Sequence, residues 1–267
     1  MVKDSQILKV LGWTLKNDVV FPLPEIVLAF SLYIVLAKNS LSSTAPTDVF
    51  ENLTYNLIIL VIIFVGIAGA RGYAIALERG ELSRQMIGLR ISRTRIFVLK
   101  WISVFILSFA ILIAIDIAAF FSLVAYIPSI STYSVWGSAP LLAFAIMVGE
   151  QAILLAFLNS LSSAVSLAIR RTTVSLLVFF LVAFLGSQLY VVGTTGGPLS
   201  YLQLGWGDYK IMLDATQYAY YSIFNHNLVT AFGGLTEQFY IGLAYRAVGT
   251  LLLLAISIYS FKRADLD

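Results

Sequence analysis

Three ionisable residues fall inside long apolar runs of this chain: Asp116, Glu150 and Arg246. Two carboxyls and a guanidinium at membrane depth suit either a buried ion pair or a relay for protons or ions. Each in isolation costs roughly 2.5–3.5 kcal/mol on insertion scales, so pairing or water access is expected. Arg246 is expected to pair with Asp116 or Glu150 across the interior of a helix bundle. A second constellation is Glu78–Lys100, ERGELSRQMIGLRISRTRIFVLK, the only densely charged stretch of the chain. Its Arg79, Arg84, Arg90, Arg93, Arg95 and Lys100 stand against Glu78 and Glu81. Leu82, Met86 and Leu89 recur at i, i+4 and i+7, which puts them on one face of a short helix. Ser92 or Thr94 is placed to cap the helix that follows. The stretch has no His or Cys and its carboxylates are matched by arginines, so it reads as a docking surface and not as a catalytic one. The plainer alternative is a solvated, positively charged loop on the cytoplasmic side.

Several chemistries are excluded at once. With no cysteine there are no disulfides, thiolate metal sites or iron–sulfur clusters. The single histidine, His226, cannot build a multi-His metal centre and reads as an interfacial residue in an aromatic loop. No G-x-x-x-x-G-K-[ST] phosphate loop occurs, so the chain is expected to hold no nucleotide, no cofactor and no catalytic residue of its own. A serine mechanism would need a base facing a span serine, and none is evident.

The elements that must position these residues are membrane helices. The chain has 267 residues, of which 60% are hydrophobic and 12% charged, and a mean hydropathy of +0.91. That composition is outside the range of soluble globular domains. It leaves room for about six spans of roughly 20 residues joined by short loops. A net charge of +3 and a pI near 9.0 come from basic residues at the membrane edge. They imply contact with anionic lipid or a partner protein and make nucleic acid an unnecessary assumption.

In chain order, residues 5–17 carry Ile7, Leu8, Val10, Leu11 and Leu15 on one side of a helical wheel, as in an interfacial amphipathic helix. The spans are read at about 19–37, 53–77, 97–127, 139–169, 173–192 and 241–261 within a single transmembrane domain, 1–267. Pro22 and Pro24 fit only the first turn of span 1. Gly66, Gly69 and Gly72 in span 2 suggest close helix packing. Arg170-Arg171 makes a tight basic turn between spans 4 and 5. The long segment between spans 5 and 6 is aromatic-rich and expected to form short external helices at the interface. Most of the 17 Lys and Arg residues fall in loops and span ends that this topology places in the cytoplasm, so both termini are expected inside.

Glu78-Arg79-Gly80-Glu81, the short apolar helix, Ser92-Arg93 and Lys100 resemble the signature between the second and third spans of type-2 permeases of ATP-binding-cassette (ABC) transporters. In that family an acidic-basic-glycine start leads through a coupling helix to a Pro-x-Ser-Arg element and a Gly-Lys pair. Here these elements are Arg90-Ile91-Ser92-Arg93 and Leu99-Lys100, so arginine stands for the proline and leucine for the glycine. The resemblance implies an all-α integral membrane protein of six transmembrane helices, with an N-terminal interfacial helix and a cytoplasmic coupling helix. It implies a permease subunit in the cell (plasma) membrane, in most members an exporter. An ATPase subunit carrying ATP and Mg docks on Glu78, Arg79, Gly80, Glu81, Leu82, Arg84, Met86, Leu89, Ser92, Arg93 and Lys100. A second permease chain, identical or paralogous, completes the pathway in contact with membrane lipids. The competing reading is an ion- or proton-coupled secondary transporter using Asp116, Glu150 and Arg246. It accounts for the buried charges but leaves the elbow without a role, and no internal repeat supports it.

Overall fold

The computed structural model describes residue 12 and residues 62–75, 77, 92–126, 138–188 and 237–263. Among these residues the secondary structure is entirely helical. Helix α1 (62–69) runs into a π-helical segment, Ala70–Ile75. Then come α2 (Arg93–Tyr126), α3 (Ser138–Ile169), α4 (Thr172–Gln188) and α5 (Glu237–Arg263). Three stretches, Arg93–Ala114, Val148–Ile169 and Leu243–Arg263, are long and apolar enough to cross a membrane. Shorter apolar helices occupy Ile62–Ala74 and Thr172–Val182. The expected first span, the N-terminal amphipathic helix and the external helices before α5 lie outside the described residues.

Local chemistry explains where the helices start and stop. Ser92 stands immediately before α2, and its carbonyl accepts the Ile96 amide at 3.1 Å, which puts Ser92 at the cap position and Thr94 in the first turn. Pro140 falls in the first turn of α3, where a missing N–H goes unnoticed. At the other end of α3, Arg170 adopts a left-handed backbone (φ 59°), and its amide still bonds the Ser166 carbonyl at 3.0 Å. That conformation stops the helix. The chain turns through Arg171 into α4, so two helices are joined by a two-residue corner.

Helix α3 is the hub. It packs against α5, α2, α4 and the π segment, with α5 its largest partner. Glycines allow the closest of these approaches. A methyl group at Gly66 would lie 2.7 Å from the Phe179 ring of α4, and one at Gly69 would run into Ser162 of α3. Both positions are therefore packing glycines, whereas Gly72, the third of the run in the sequence, is not, since a methyl there meets nothing within 4 Å. Gly249 of α5 does the same service for the Phe157 ring, 2.8 Å from where a methyl would sit.

Polarity is distributed as it is in a membrane protein. The exposed faces carry large apolar side chains, including Leu177 of α4 and Val248, Leu251, Leu252 and Ile256 of α5, with Leu251 68% exposed. Buried positions all round α3 carry Glu150, Gln151, Asn159, Ser160, Ser162, Ser163 and Ser166. Water as the outer solvent would penalise that arrangement, whereas hydrocarbon favours it. Many of the serines return their hydroxyls to their own helix, as Ser103, Ser108 and Ser160 do to carbonyls four residues back at 2.7–2.8 Å. Others bridge helices: Ser163 meets Ser257 at 3.4 Å, and Ser166 meets Ser175 at 2.9 Å.

Candidate functional site

Two regions carry the candidate chemistry. The first is the end of the bundle where α2 begins and α5 finishes. Arg93, Arg95, Arg170, Arg171, Lys262 and Arg263 are all exposed there. The Arg93 guanidinium donates to the Lys262 carbonyl at 3.3 Å, tying the start of α2 to the last turn of α5. A cation at a helix C-terminus also meets the negative end of its dipole.

Beneath this basic rim lies an apolar cluster of Tyr73, Ile96, Phe97, Leu167 and Phe261. Its rings meet at tilted angles, Tyr73 to Phe97 at 5.3 Å and Phe97 to Phe261 at 5.7 Å between centroids. The Tyr73 hydroxyl also donates to the Phe97 carbonyl at 3.4 Å. Lys100 is buried in the same corner, 1% exposed, and its Nζ donates to the Gly72 carbonyl at 2.9 Å. Gly72 is inside the π segment, where the wider turn displaces carbonyls from the ordinary i→i−4 ladder. A charged donor aimed at such a carbonyl is among the stronger hydrogen bonds a protein makes. Sequence spacing places Lys100 in the coupling stretch with Ser92 and Arg93. The structure places Ser92 and Arg93 at the surface and Lys100 inside, as an internal anchor. Glu78, Arg79, Gly80, Glu81, Leu82, Arg84, Met86 and Leu89 lie outside the described residues.

The second region is the middle of α3. Glu150 is 2% exposed, and Arg246 of α5 is 4% exposed. The Arg246 guanidinium sits over the Phe157 ring, 4.8 Å from its centroid, a cation–π geometry. Glu150 and Phe157 are seven residues apart, so they share one face of α3 with an offset of about 20°. Arg246 therefore meets α3 on its Glu150-bearing face. Asp116 lies within α2, and its side chain is outside what is described.

A face of α3 that begins about 100° round from Glu150 carries a polar stripe without formal charge. Gln151, Asn159, Ser162 and Ser166 fall within an arc of about 80° at 100° per residue. Asn159 donates through Nδ2 to the Trp101 carbonyl at 3.0 Å, and Trp101 Nε1 donates to Ser160 Oγ at 3.2 Å. Trp101 heads a ladder of stacked rings on α2, with Phe105 and Phe109 one and two turns on. Gln151 is fully buried, yet neither its Nε2 nor its Oε1 has a hydrogen-bond partner, and the same is true of Asn159 Oδ1.

What the sequence does not single out is instructive. Trp101, Tyr73 and Gly72 matter through contacts 24 to 59 residues away, and no local spacing announces them. Gln151 and Asn159 are visible as polar residues in an apolar run, but which neighbours they meet is settled only by packing. Among the described residues no group of His, Cys, Asp and Glu is arranged to hold a metal ion. No protein-family model matches the chain, and no curated protein matches it either.

Proposed function

We propose that this chain is the membrane-spanning permease subunit of an ABC transporter, an exporter in the cell membrane with six spans and both termini in the cytoplasm. A separate ATP-binding subunit docks on the elbow at residues 78–100, and a second permease chain completes the translocation pathway. The observation that carries this reading is the clamp at the base of the elbow. Tyr73–Phe97 and Lys100–Gly72 hold the end of the first described helix against the start of α2, while Arg93 ties in the end of α5. Residues 78–91 are thus strung between two points fixed to one another. Force applied to such an elbow moves three helix ends together, which is what a transmission element requires. The six exposed cations at this end support a cytoplasmic placement. The family-like sequence at Glu78–Glu81 and Ser92-Arg93 supports the partner.

The test is mild-detergent purification from the membrane, with mass spectrometry of co-purifying proteins, for wild type and a Glu78→Ala, Arg84→Ala double variant. The expected result is an ATPase with a phosphate-binding loop that is lost or weakened in the variant. A wild-type protein that purifies without any ATPase sinks the proposal. The alternative then gains weight: ion or proton coupling through Glu150 and Arg246, whose burial at the α3–α5 contact is the observation in its favour, together with Asp116.

A further inference from the structure

Part of the neutral stripe of α3 is taken up by packing, Ser162 at the Gly69 crossing and Ser166 in its bond to Ser175, but the Gln151 amide is not. Gln151 offers one acceptor and two donors, all buried, and none is bonded among the described residues. Asn159 spends its Nδ2 on Trp101 but leaves Oδ1 unbonded. Native proteins bond nearly all their buried polar atoms, to protein or to water, because an orphan keeps its full desolvation cost. A buried amide with no bond among the described residues, and a half-bonded one eight residues further along and about 80° round the helix, therefore point to a hydrogen-bonding occupant of that face. Along α3 the two amides stand about 12 Å apart. Leu155 and Leu158 interleave with the polar groups and are buried too.

The stripe's chemistry is selective. Its side chains are amides and hydroxyls, with no cation or anion. The buried charged groups of α3 and α5, Glu150 and Arg246, meet on a face of α3 about 100° or more from the stripe, and Lys262 and Arg263 are exposed in the last turn of α5. Such a lining can exchange hydrogen bonds with hydroxyl or amide groups, but it cannot compensate the desolvation of an ion. We infer that the Gln151–Asn159 face of α3 is part of the substrate route and takes uncharged, hydroxyl- or amide-bearing groups of the cargo. This rests on the reading of the chain as a transport subunit and narrows its substrate class.

The chain contains no cysteine, so introduced thiols can be followed without background. The test uses single Gln151→Cys and Asn159→Cys variants of the full chain in native membranes. Each is treated with hydroxyethyl methanethiosulfonate, which is neutral and hydroxyl-bearing, and with charged trimethylammonium and sulfonate analogues. Leu112→Cys in the packed interior and Leu251→Cys on the outer apolar face serve as unreactive references. Arg170→Cys at the exposed corner supplies the rate of each reagent on an open site.

The expected result is modification at 151 and 159 by the neutral reagent about tenfold or more faster than at 112 or 251, since only a hydrated thiol ionises to react. Relative to the corner, the charged reagents should lag the neutral one. Reaction no faster than at the references overturns the inference and makes the stripe dry interhelical packing. Equal rates for charged and neutral reagents overturn its selectivity. Should neither variant accumulate, hydroxyl-radical footprinting of the wild-type protein reads the same point. Oxidation of Leu155 or Leu158 reports water on the stripe, and their protection alongside Leu112 overturns it. None of these measurements requires the ATPase, so they can fail while its co-purification succeeds, and the reverse.

Discussion

The basic end of the bundle and the middle of α3 solve the problem of burying polar groups in opposite ways. At the basic end the buried donors are aimed at backbone acceptors, Lys100 at Gly72 and Tyr73 at Phe97, and exposed Arg93 at Lys262. In the middle of α3 the Gln151 amide and Asn159 Oδ1 meet no acceptor or donor among the described residues. A satisfied network fixes one geometry and stiffens it. An unsatisfied one lowers the stability of the conformation in which it is found and favours any state that brings water or a ligand to it. On the transport reading proposed above, the difference gives a stiff input end and a changeable interior.

The sharpest way to break this arrangement is at the junction between the two regions. Gly69→Ala drives a methyl group into Ser162, and because the obstacle is a short side chain at a close helix crossing, it cannot swing aside. A loss of about 3 kcal/mol is expected, the upper end of overpacking costs. Gly72→Ala is the control, since a methyl there meets nothing within 4 Å. Thermal unfolding in detergent micelles should separate the two variants clearly. Equal midpoints would show that α1 does not approach α3 at Gly69.

The clamp itself is tested by Lys100→Met, which keeps the length of the side chain and removes the donor. It leaves the Gly72 carbonyl buried without its charged partner, for a loss of about 2 kcal/mol. Relief of the buried ammonium's desolvation offsets part of that cost, which is why the effect is placed below that of Gly69→Ala. Lys100→Arg is informative beside it, because a forked guanidinium does not fit a site shaped for a point charge. A melting temperature unchanged in Lys100→Met would mean that the π segment needs no anchor.

Parts of this arrangement were open to sequence reasoning and parts were not. Apolar runs show where helices lie because a membrane helix must be apolar over its whole length. The described helices α2, α3 and α5 accordingly overlap apolar runs read from composition alone. Gly66 and Gly69 were legible because close packing demands small residues at helical spacing. The basic corner at Arg170-Arg171 was legible as charge between two apolar runs. The π segment was not, since one extra residue in a turn leaves no trace in composition. Lys100 misleads for a related reason. Its charge groups it with the exposed basic stretch, while its position two turns inside α2 turns it toward Gly72. The partnership of Arg246 with Phe157 spans 89 positions, a distance over which no local pattern operates.

The middle of α3 should respond in the opposite direction to the clamp. Gln151→Met replaces the orphaned amide with an unbranched apolar chain of similar length, removing desolvated atoms and leaving no partner behind. Stability should rise, by about 1 kcal/mol. If α3 serves as a substrate route, the same variant loses transport in the assembled complex, a trade between stability and function. A fall in the melting temperature would show instead that the amide is bonded, and the contrast between the two regions would be lost.

The smallest expected effect falls at Arg170, the only non-glycine residue with positive φ among those described. A side chain in that region is strained by roughly 1–2 kcal/mol, a strain glycine does not feel. Glycine also gains more freedom in the unfolded chain, which cancels part of the benefit. Arg170→Gly is therefore expected to raise stability by only about 0.5 kcal/mol. Arg170→Asn, which tolerates the left-handed region, should fall between the two. The strain persists at a position where its removal is simple, and the argument for why is electrostatic. Arg170 is one of six exposed cations at this end, and each cation near an anionic membrane surface contributes about 1 kcal/mol of attraction. Binding of the purified protein to anionic-lipid nanodiscs should thus weaken in Arg170→Gly even as its melting temperature rises. Arg170→Lys, which keeps both the charge and the strain, should leave binding and stability near wild type. A glycine variant that binds as well as wild type would assign Arg170 to the turn alone.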